Sequence, residues 1–132
     1  MDTVKRGQIR NESRAKQLVD FTGFGIGKIT PTDLDGFIEY HGRGYFGVEF
    51  KLVGHPLPDG QRKSLERGWD DWTKLGKIAI LAVAEHNTPA HLQIQAKETM
   101  VREYRWHYQW HFPEREITLW DAFNSWLALV DM

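Results

Sequence analysis

The apolar run at residues 77–86, KIAILAVAEH, constrains the fold of this chain more than any other segment. It is too short to cross a bilayer, and a short continuous run of this kind favours a strand that is buried on both faces. The preceding residues, 61–76, carry apolar side chains at spacings of three and four, as an amphipathic helix does: Leu65, Trp69, Trp72 and Leu75. Gly76 stands where such a helix would be capped. The sequence therefore predicts a helix that leads directly into a buried strand.

A β-hairpin is predicted ahead of this helix, because residues 33–53 alternate between two sets of side chains. The turn is assigned to HGRG at residues 41–44. One face of the hairpin carries Leu34, Gly36, Ile38, Tyr40, Phe46, Val48, Phe50 and Leu52. The other carries Asp33, Asp35, Phe37, Glu39, Gly47, Glu49, Lys51 and Val53. A hairpin, a crossover helix and a buried strand together predict a mixed α/β sheet.

Weaker patterns predict the remaining elements. Residues 8–20 favour a first helix, and FTGFGIGKITP favours a strand that stops at Pro31. Beyond Pro89, HLQIQA and YRWHYQW both alternate and predict two further strands, the second with one aromatic face: Tyr104, Trp106, Tyr108 and Trp110. Thr118 is expected to cap a final helix. The apolar face of that helix would be Leu119, Phe123, Trp126, Leu127 and Val130.

Composition limits the class of protein. The chain has 132 residues, 41% of them hydrophobic, which suits one domain with a substantial core. It contains no cysteine, so disulfides and thiolate chemistry are excluded. No apolar run is long enough for a membrane span, and the N-terminus does not resemble a signal peptide. We therefore expect a single cytoplasmic domain over residues 1–132 with no membrane partner.

The formal net charge is -1, so any DNA binding would depend on local basic patches rather than on a global positive field. The first patch lies near the start of the chain and contains Lys5, Arg6, Arg10, Arg14 and Lys16. A second, weaker patch contains Arg62, Lys63 and Arg67. Solvated helix faces explain both patches equally well.

Three charged residues of the predicted hairpin suggest a site. Glu49 and Lys51 are two apart in a strand and share a face, and the tight turn brings Asp35 close to Glu49. Two carboxylates in a partly dry place repel each other, and Lys51 or a divalent cation would offset that repulsion. Carboxylate oxygens suit Mg²⁺ or Mn²⁺ better than zinc. Such a set of groups is what metal-dependent hydrolysis of a phosphodiester requires.

The order of these residues and elements resembles the PD-(D/E)XK nuclease core. Asp35, thirteen intervening residues and then Glu49-Phe50-Lys51 are followed by a helix and a buried strand, and the resemblance covers residues 8–86. KITPTDLDGFIEYHGRGYFGVEFK, LPDGQ, LER and GKIAILAV are most similar to the Holliday-junction resolvases of Gram-positive bacteria and their phages. The resemblance implies a restriction-endonuclease-like core of order α-β-β-β-α-β, with a mixed sheet flanked by helices, a C-terminal β-hairpin and a helix.

The resemblance also implies roles for individual residues. Asp35, Glu49 and the backbone carbonyl of Phe50 would hold the metal ion, Mg²⁺ or Mn²⁺. Lys51 would be catalytic, and Gln61, at the head of the helix, would lie beside the active site.

Other residues match the family pattern around this site. Asp33 is a candidate further ligand, because it shares the face of Asp35. Thr30 and Thr32 fall in a segment that the family uses at the site, and Glu12 matches the acidic residue of its first helix. DNA contacts would come from these threonines and the two basic patches.

The family acts on branched DNA, and a two-fold junction needs two cuts, so a homodimer is expected. The HGRG turn, however, leaves no room for the stalk-like insertion with which some of these resolvases engage a junction.

Simpler interpretations exist for the same residues. Glu49 and Lys51 could form an exposed ion pair, worth well under ~1 kcal/mol. Asp33 suits a turn, and Gln61 suits the first turn of any helix. A second functional hypothesis is a catalytically inactive DNA-binding module with a nuclease-like fold, in which the basic first helix grips DNA. The presence of Asp35, Glu49 and Lys51 together favours the enzyme.

Overall fold

The computed structural model of the chain describes residues 20–25 and 32–132. The chain divides into two compact units, Met1–Pro31 and Thr32–Met132, and the fold below is that of the second unit. The single domain over residues 1–132 stays a prediction. Several predictions lie outside the described residues: nearly all of the first helix, the strand that stops at Pro31, and the side chains of Lys5, Arg6, Arg10, Glu12, Arg14, Lys16 and Thr30.

A five-stranded sheet forms the centre of residues 32–132. Its strands, in spatial as well as chain order, are β1 (Gly36–Tyr40), β2 (Gly44–Leu52), β3 (Ile78–His86), β4 (Met100–Trp106) and β5 (Gln109–His111). β2 and β3 are parallel, and every other neighbouring pair is antiparallel. The predicted mixed α/β sheet is therefore confirmed, with β3 as its middle strand.

Two α-helices of this unit cover opposite faces of the sheet. Helix α1 (Asp59–Lys74) connects β2 to β3, and helix α2 (Leu119–Val130) follows β5. A short 3-10 helix, Ala96–Glu98, precedes β4. The parallel pairing of β2 and β3 requires a connection that returns along the sheet, and α1 supplies it.

Helix α1 forms where its sequence pattern predicts, and it buries Leu65 and Trp69 against the sheet. It ends at Lys74, and Gly76, two residues later, has a φ of 81°, which glycine adopts without steric cost. The Gly76 N–H donates to the Thr73 carbonyl and the Lys77 N–H to the Trp72 carbonyl, both at 3.0 Å, which is a Schellman motif. The predicted cap is confirmed. Leu75, predicted on the apolar face, is instead 71% exposed because the chain is already leaving the helix there.

The core has one layer on each side of the sheet. On the α1 side, Leu65 and Trp69 pack against strand residues, among them Leu81. On the α2 side the buried cluster is Phe46, Val48, Ala82, Ala84, Val101, Leu119, Trp126 and Val130. Because alternate residues of β2 and β3 face opposite layers, both strands are apolar almost throughout.

The predicted hairpin is confirmed in register. Gly36 lies opposite Val48 and Tyr40 opposite Gly44, so the turn consists of residues 41–43. Gly47 lies against the indole of Trp69 so closely that a Cβ atom there would be 2.2 Å from the ring. This close approach brings α1 down onto the same face of β2 that carries Glu49.

The C-terminal part differs in detail from the prediction. Residues 91–95 form no strand, although HLQIQA alternates. The alternating residues of YRWHYQW fold into a hairpin with His107 and Tyr108 at its turn, both with positive φ. Because the chain reverses at this turn, Tyr104 packs with the α2-side core and Trp110 with the α1-side core. The predicted single aromatic face is therefore wrong.

Helix α2 begins as predicted. The Asp121 N–H donates to Thr118 Oγ1 at 3.1 Å, and the Thr118 N–H donates to the Asp121 carboxylate at 3.3 Å, which completes a capping box. Leu119, Trp126 and Val130 are buried, as the pattern of its apolar residues predicts. Neither helix in the described part of the chain is long and apolar enough to span a membrane.

Replacing Gly47 by alanine should lower the free energy of unfolding by about 1–3 kcal/mol, because Trp69 must move to admit the Cβ. The matched control is Gly68→Ala on the exposed side of α1, where a Cβ would meet no described atom within 4 Å. That change should raise the free energy of unfolding by up to about 1 kcal/mol. Urea denaturation measures both, and equal effects would contradict the packing described here.

Candidate active site

The candidate site lies where β1 begins and β2 continues beyond it. Strand pairing stops at Gly36 opposite Val48, so continuing the register places Asp35 opposite Glu49. The Phe50 N–H then has no β1 backbone partner, and it donates to Asp35 Oδ2 at 2.8 Å. The Asp35 carboxylate thus replaces the ladder hydrogen bond that the ending strand cannot supply, and this fixes its orientation.

Glu49 is the buried carboxylate of the pair. Its neighbours Val48 and Phe50 belong to the α2-side core, so Glu49 faces α1. The residue is 4% exposed, and its Oε2 atom has no hydrogen-bond partner among the described residues. A buried carboxylate oxygen without a hydrogen-bond donor costs free energy, so a charged residue at this position needs an explanation.

Two further side chains converge on this pair. The Lys51 amine lies 3.9 Å from Glu49 Oε1, on the same face of β2. Gln61, in the first turn of α1, donates from Nε2 to the Asp33 carbonyl at 3.0 Å. The helix therefore places an amide group next to the segment that leads into β1, close enough to Glu49 to affect its pKa.

The pKa of Glu49 is raised to about 7, chiefly by burial of the carboxyl group. The negative charge of the neighbouring Asp35 contributes to this rise. The Gln61 amide and the Lys51 ammonium act in the opposite direction but do not offset the other causes. The pair thus holds more negative charge than its surroundings neutralise.

The chemistry of these groups fits a hard divalent cation held by two carboxylates, because one oxygen of Glu49 is free and the charges are uncompensated. Within the described residues, no group of three or more acidic or histidine side chains gathers as a metal cluster. The role of Asp33 as a further ligand stays a prediction. Its backbone carbonyl accepts a hydrogen bond from Gln61, and the residue is exposed ahead of β1.

The residues expected to contact DNA are brought together only in part. Thr32 is exposed just before the site, and Lys63 and Arg67 are exposed on α1. Arg62 lies 2.6 Å from the carboxylate of Glu103, so its charge is largely neutralised within the fold. The exposed cations of the second basic patch are therefore Lys63 and Arg67.

A network of ion pairs beside the site was not anticipated from the sequence. Glu103 is 5% exposed and contacts Arg62 and Arg102, and Arg102 also contacts Glu85 at 3.2 Å. Glu103 pairs with Val83 in the sheet, and Val83 pairs with Glu49, so both glutamates face α1. The charges in VREYRW were the available signal, since charged residues in a strand next to a buried one need partners.

Comparison of the chain with protein-family models, with curated proteins and with solved structures gives no match. The function is therefore inferred from the site itself.

The metal-free chain should lose stability as the pH rises from about 4.5 to about 7. Glu49 binds its proton more tightly in the folded than in the unfolded state, so its contribution is complete below pH 4.5 and lost above about 7. The loss should be at most about 3 kcal/mol. Chemical denaturation at pH 5 and pH 8 measures it in the wild type and in Glu49→Gln, which lacks the titrating group. The same pH dependence in both proteins would contradict the assignment.

Proposed function

We propose that this chain is a divalent-metal-dependent endonuclease that hydrolyses phosphodiester bonds in DNA. The observation that carries the proposal is the convergence of Asp35, Glu49 and Lys51 on one face of a hairpin, with Glu49 buried and short of positive partners. Gln61 joins them from α1. Metal-dependent hydrolysis of a phosphodiester needs two carboxylates to hold the ion and a positive group beside them.

An ordinary ion pair explains the geometry less well. Lys51 and Glu49 are 3.9 Å apart, which is longer than a hydrogen bond, so the amine does not satisfy the carboxylate. The pKa of Glu49 rises to about 7, which means that its charged form is destabilised in the fold. Groups whose arrangement costs stability are concentrated at functional sites.

Each residue has a distinct role in the proposal. Asp35 and Glu49 would hold Mg²⁺ or Mn²⁺, with the Phe50 carbonyl as a third ligand. Such an ion, when bound, lowers the pKa of a water molecule and stabilises charge on the phosphate oxygens. Lys51 would orient the attacking water or neutralise the charge that develops on the phosphate. Gln61 would donate its amide to the same region.

The order β1, β2, α1, β3 is the basis for proposing a PD-(D/E)XK-type core, with Asp35 directly before β1 and with Glu49 and Lys51 on β2. Branched DNA is the proposed substrate, and a homodimer the proposed active form, on the resemblance to the junction resolvases. The turn between β1 and β2 is only residues 41–43, so contacts to a junction would have to come from other surfaces. Lys63 and Arg67 are exposed cations on the helix that carries Gln61.

Replacing Lys51 by methionine should reduce nicking of DNA by about 100-fold or more, because the site loses the positive group beside the carboxylates. The matched control is Lys74→Met at the exposed end of α1, which should leave the rate unchanged. The assay uses Mg²⁺ with a four-way junction, a linear duplex and a single strand. Glu49→Gln and EDTA should each abolish cleavage. Equal activity of the wild type and Lys51→Met on all three substrates would refute the proposal that the chain is a nuclease.

The inactive DNA-binding module makes a different prediction for the same protein. Its affinity for DNA should survive EDTA, should not change in Glu49→Gln, and should fall steeply with salt as counterions are released. Gel-shift titrations at two salt concentrations, with and without EDTA, measure this. Binding without any metal-dependent nicking would favour the module over the enzyme.

A further inference from the structure

Helix α1 is fastened to the β4–β5 hairpin by polar contacts at regular spacing. Arg62, Glu66 and Asp70, each four residues apart, bind three different residues of that hairpin. Arg62 Nη1 lies 2.6 Å from Glu103 Oε1, Trp110 Nε1 donates to Glu66 at 2.6 Å, and Arg105 donates twice to Asp70 at 2.8 and 3.1 Å. Residues at this spacing share one face of a helix, so the contacts form a single row.

Glu103, in the first contact of the row, is more buried than Asp70 in the last. The Glu103 side chain is 7% exposed, and the Arg62 guanidinium also stacks over the Trp110 ring, 4.5 Å from its centroid. On its other side Glu103 contacts Arg102 Nε at 3.4 Å. Arg102 in turn donates to the His55 carbonyl at 2.8 Å. Glu103 of β4 therefore connects to α1 through Arg62, and to the loop before α1 through Arg102.

This contact lies one residue from the candidate site, since Arg62 directly follows Gln61. No described side chain caps the helix at Pro58. Gln61 reaches the Asp33 carbonyl from one side of the first turn of α1, and Arg62 reaches Glu103 from the other. The position of the Gln61 amide therefore depends on where the ion pair holds the helix.

We propose that Glu103 is a positioning residue for the candidate site, acting through Arg62 to hold the Gln61 amide beside Asp35 and Glu49. A buried ion pair often stabilises a fold no better than apolar residues of the same size. Positioning of α1 therefore explains the Arg62–Glu103 pair better than a contribution to stability does. The inference rests on the proposed function, and it adds a residue that does not touch the reacting groups.

The chain contains a matched control for this proposal. Arg105 and Asp70 join the same helix to the same strand with two hydrogen bonds, but two helical turns away from Gln61. Glu103→Gln and Asp70→Asn therefore each remove the negative charge from one helix-to-strand ion pair, at different distances from the site. Arg62→Met breaks the first pair from the helix side and leaves Glu103 with Arg102, so the test does not depend on one variant folding.

The first measurement is the NMR signal of the Gln61 side-chain amide, which needs neither DNA nor metal. Its hydrogen bond to Asp33 gives it a distinct chemical shift in the wild type. Glu103→Gln and Arg62→Met should move this signal to the position of a free amide, Arg62→Lys should restore it in part, and Asp70→Asn should leave it in place. An unmoved signal in both Glu103→Gln and Arg62→Met, or an equal shift in Asp70→Asn, would overturn the proposal.

The second measurement is the kinetics of Mg²⁺-dependent nicking. Glu103→Gln should lower kcat by about tenfold with little change in KM, because a displaced amide weakens the reaction rather than DNA binding. Asp70→Asn should leave kcat unchanged. If kcat falls equally in both variants, or in neither, the positioning role is refuted. A wild-type chain that does not nick DNA would refute the proposed function instead, and the Gln61 signal would still decide whether Glu103 positions that amide.

Discussion

The parallel pairing of β2 with β3 is the interaction on which the rest of this structure depends. It extends from Gly44 opposite Ile78 to Leu52 opposite His86, and it places two largely apolar strands side by side in the middle of the sheet. A parallel pair needs a long connection, which α1 provides on one face, and the opposite face is left for α2. Because the middle of both strands is covered on both sides, a charged residue there, such as Glu49, is buried.

Glu49 is the place where this constraint has a cost. It lies in the buried part of β2, opposite Val83 and facing α1, and the same position puts it next to Asp35. Earlier in β2, the same face carries Tyr45 and Gly47, and there the neighbouring side chains are apolar: Trp69 and Trp72 of α1. Around Glu49, the sheet instead carries two carboxylates and a lysine. The conflict between burial and charge at Glu49 thus lies beside the start of β1, at the candidate site.

The ion pairs of β4 extend the site beyond the hairpin. Glu103 lies across Val83 from Glu49 and is neutralised by two arginines, whereas Glu49 has one distant lysine. Two buried glutamates on one face of one sheet therefore have different electrostatic surroundings. The neutralised one holds the helix, and the other is left able to bind a cation or a proton.

The sequence by itself determined the elements whose signals are local. Alternation defined the two faces within the strands of the hairpin, although Leu34, ahead of β1, packs on the α1 side and not with Tyr40 as predicted. The spacing of Leu65 and Trp69 defined α1, and Gly76 and Thr118 marked a helix end and a helix start. These signals suffice because each is a backbone or periodicity preference that acts within a few residues. The convergence of Asp35 and Glu49 followed from them, since a tight turn and a register are enough to place residues opposite each other.

Only the tertiary structure decided which charges have partners. Arg62 appears in the sequence as part of an exposed basic patch, and its pairing with Glu103, 41 positions away, depends on how α1 lies across the sheet. Tertiary structure also decides why HLQIQA forms no strand and why Tyr104 and Trp110 lie on different faces of the sheet. Alternation predicts a strand only where a neighbouring strand is available, and that availability is a property of the assembled sheet.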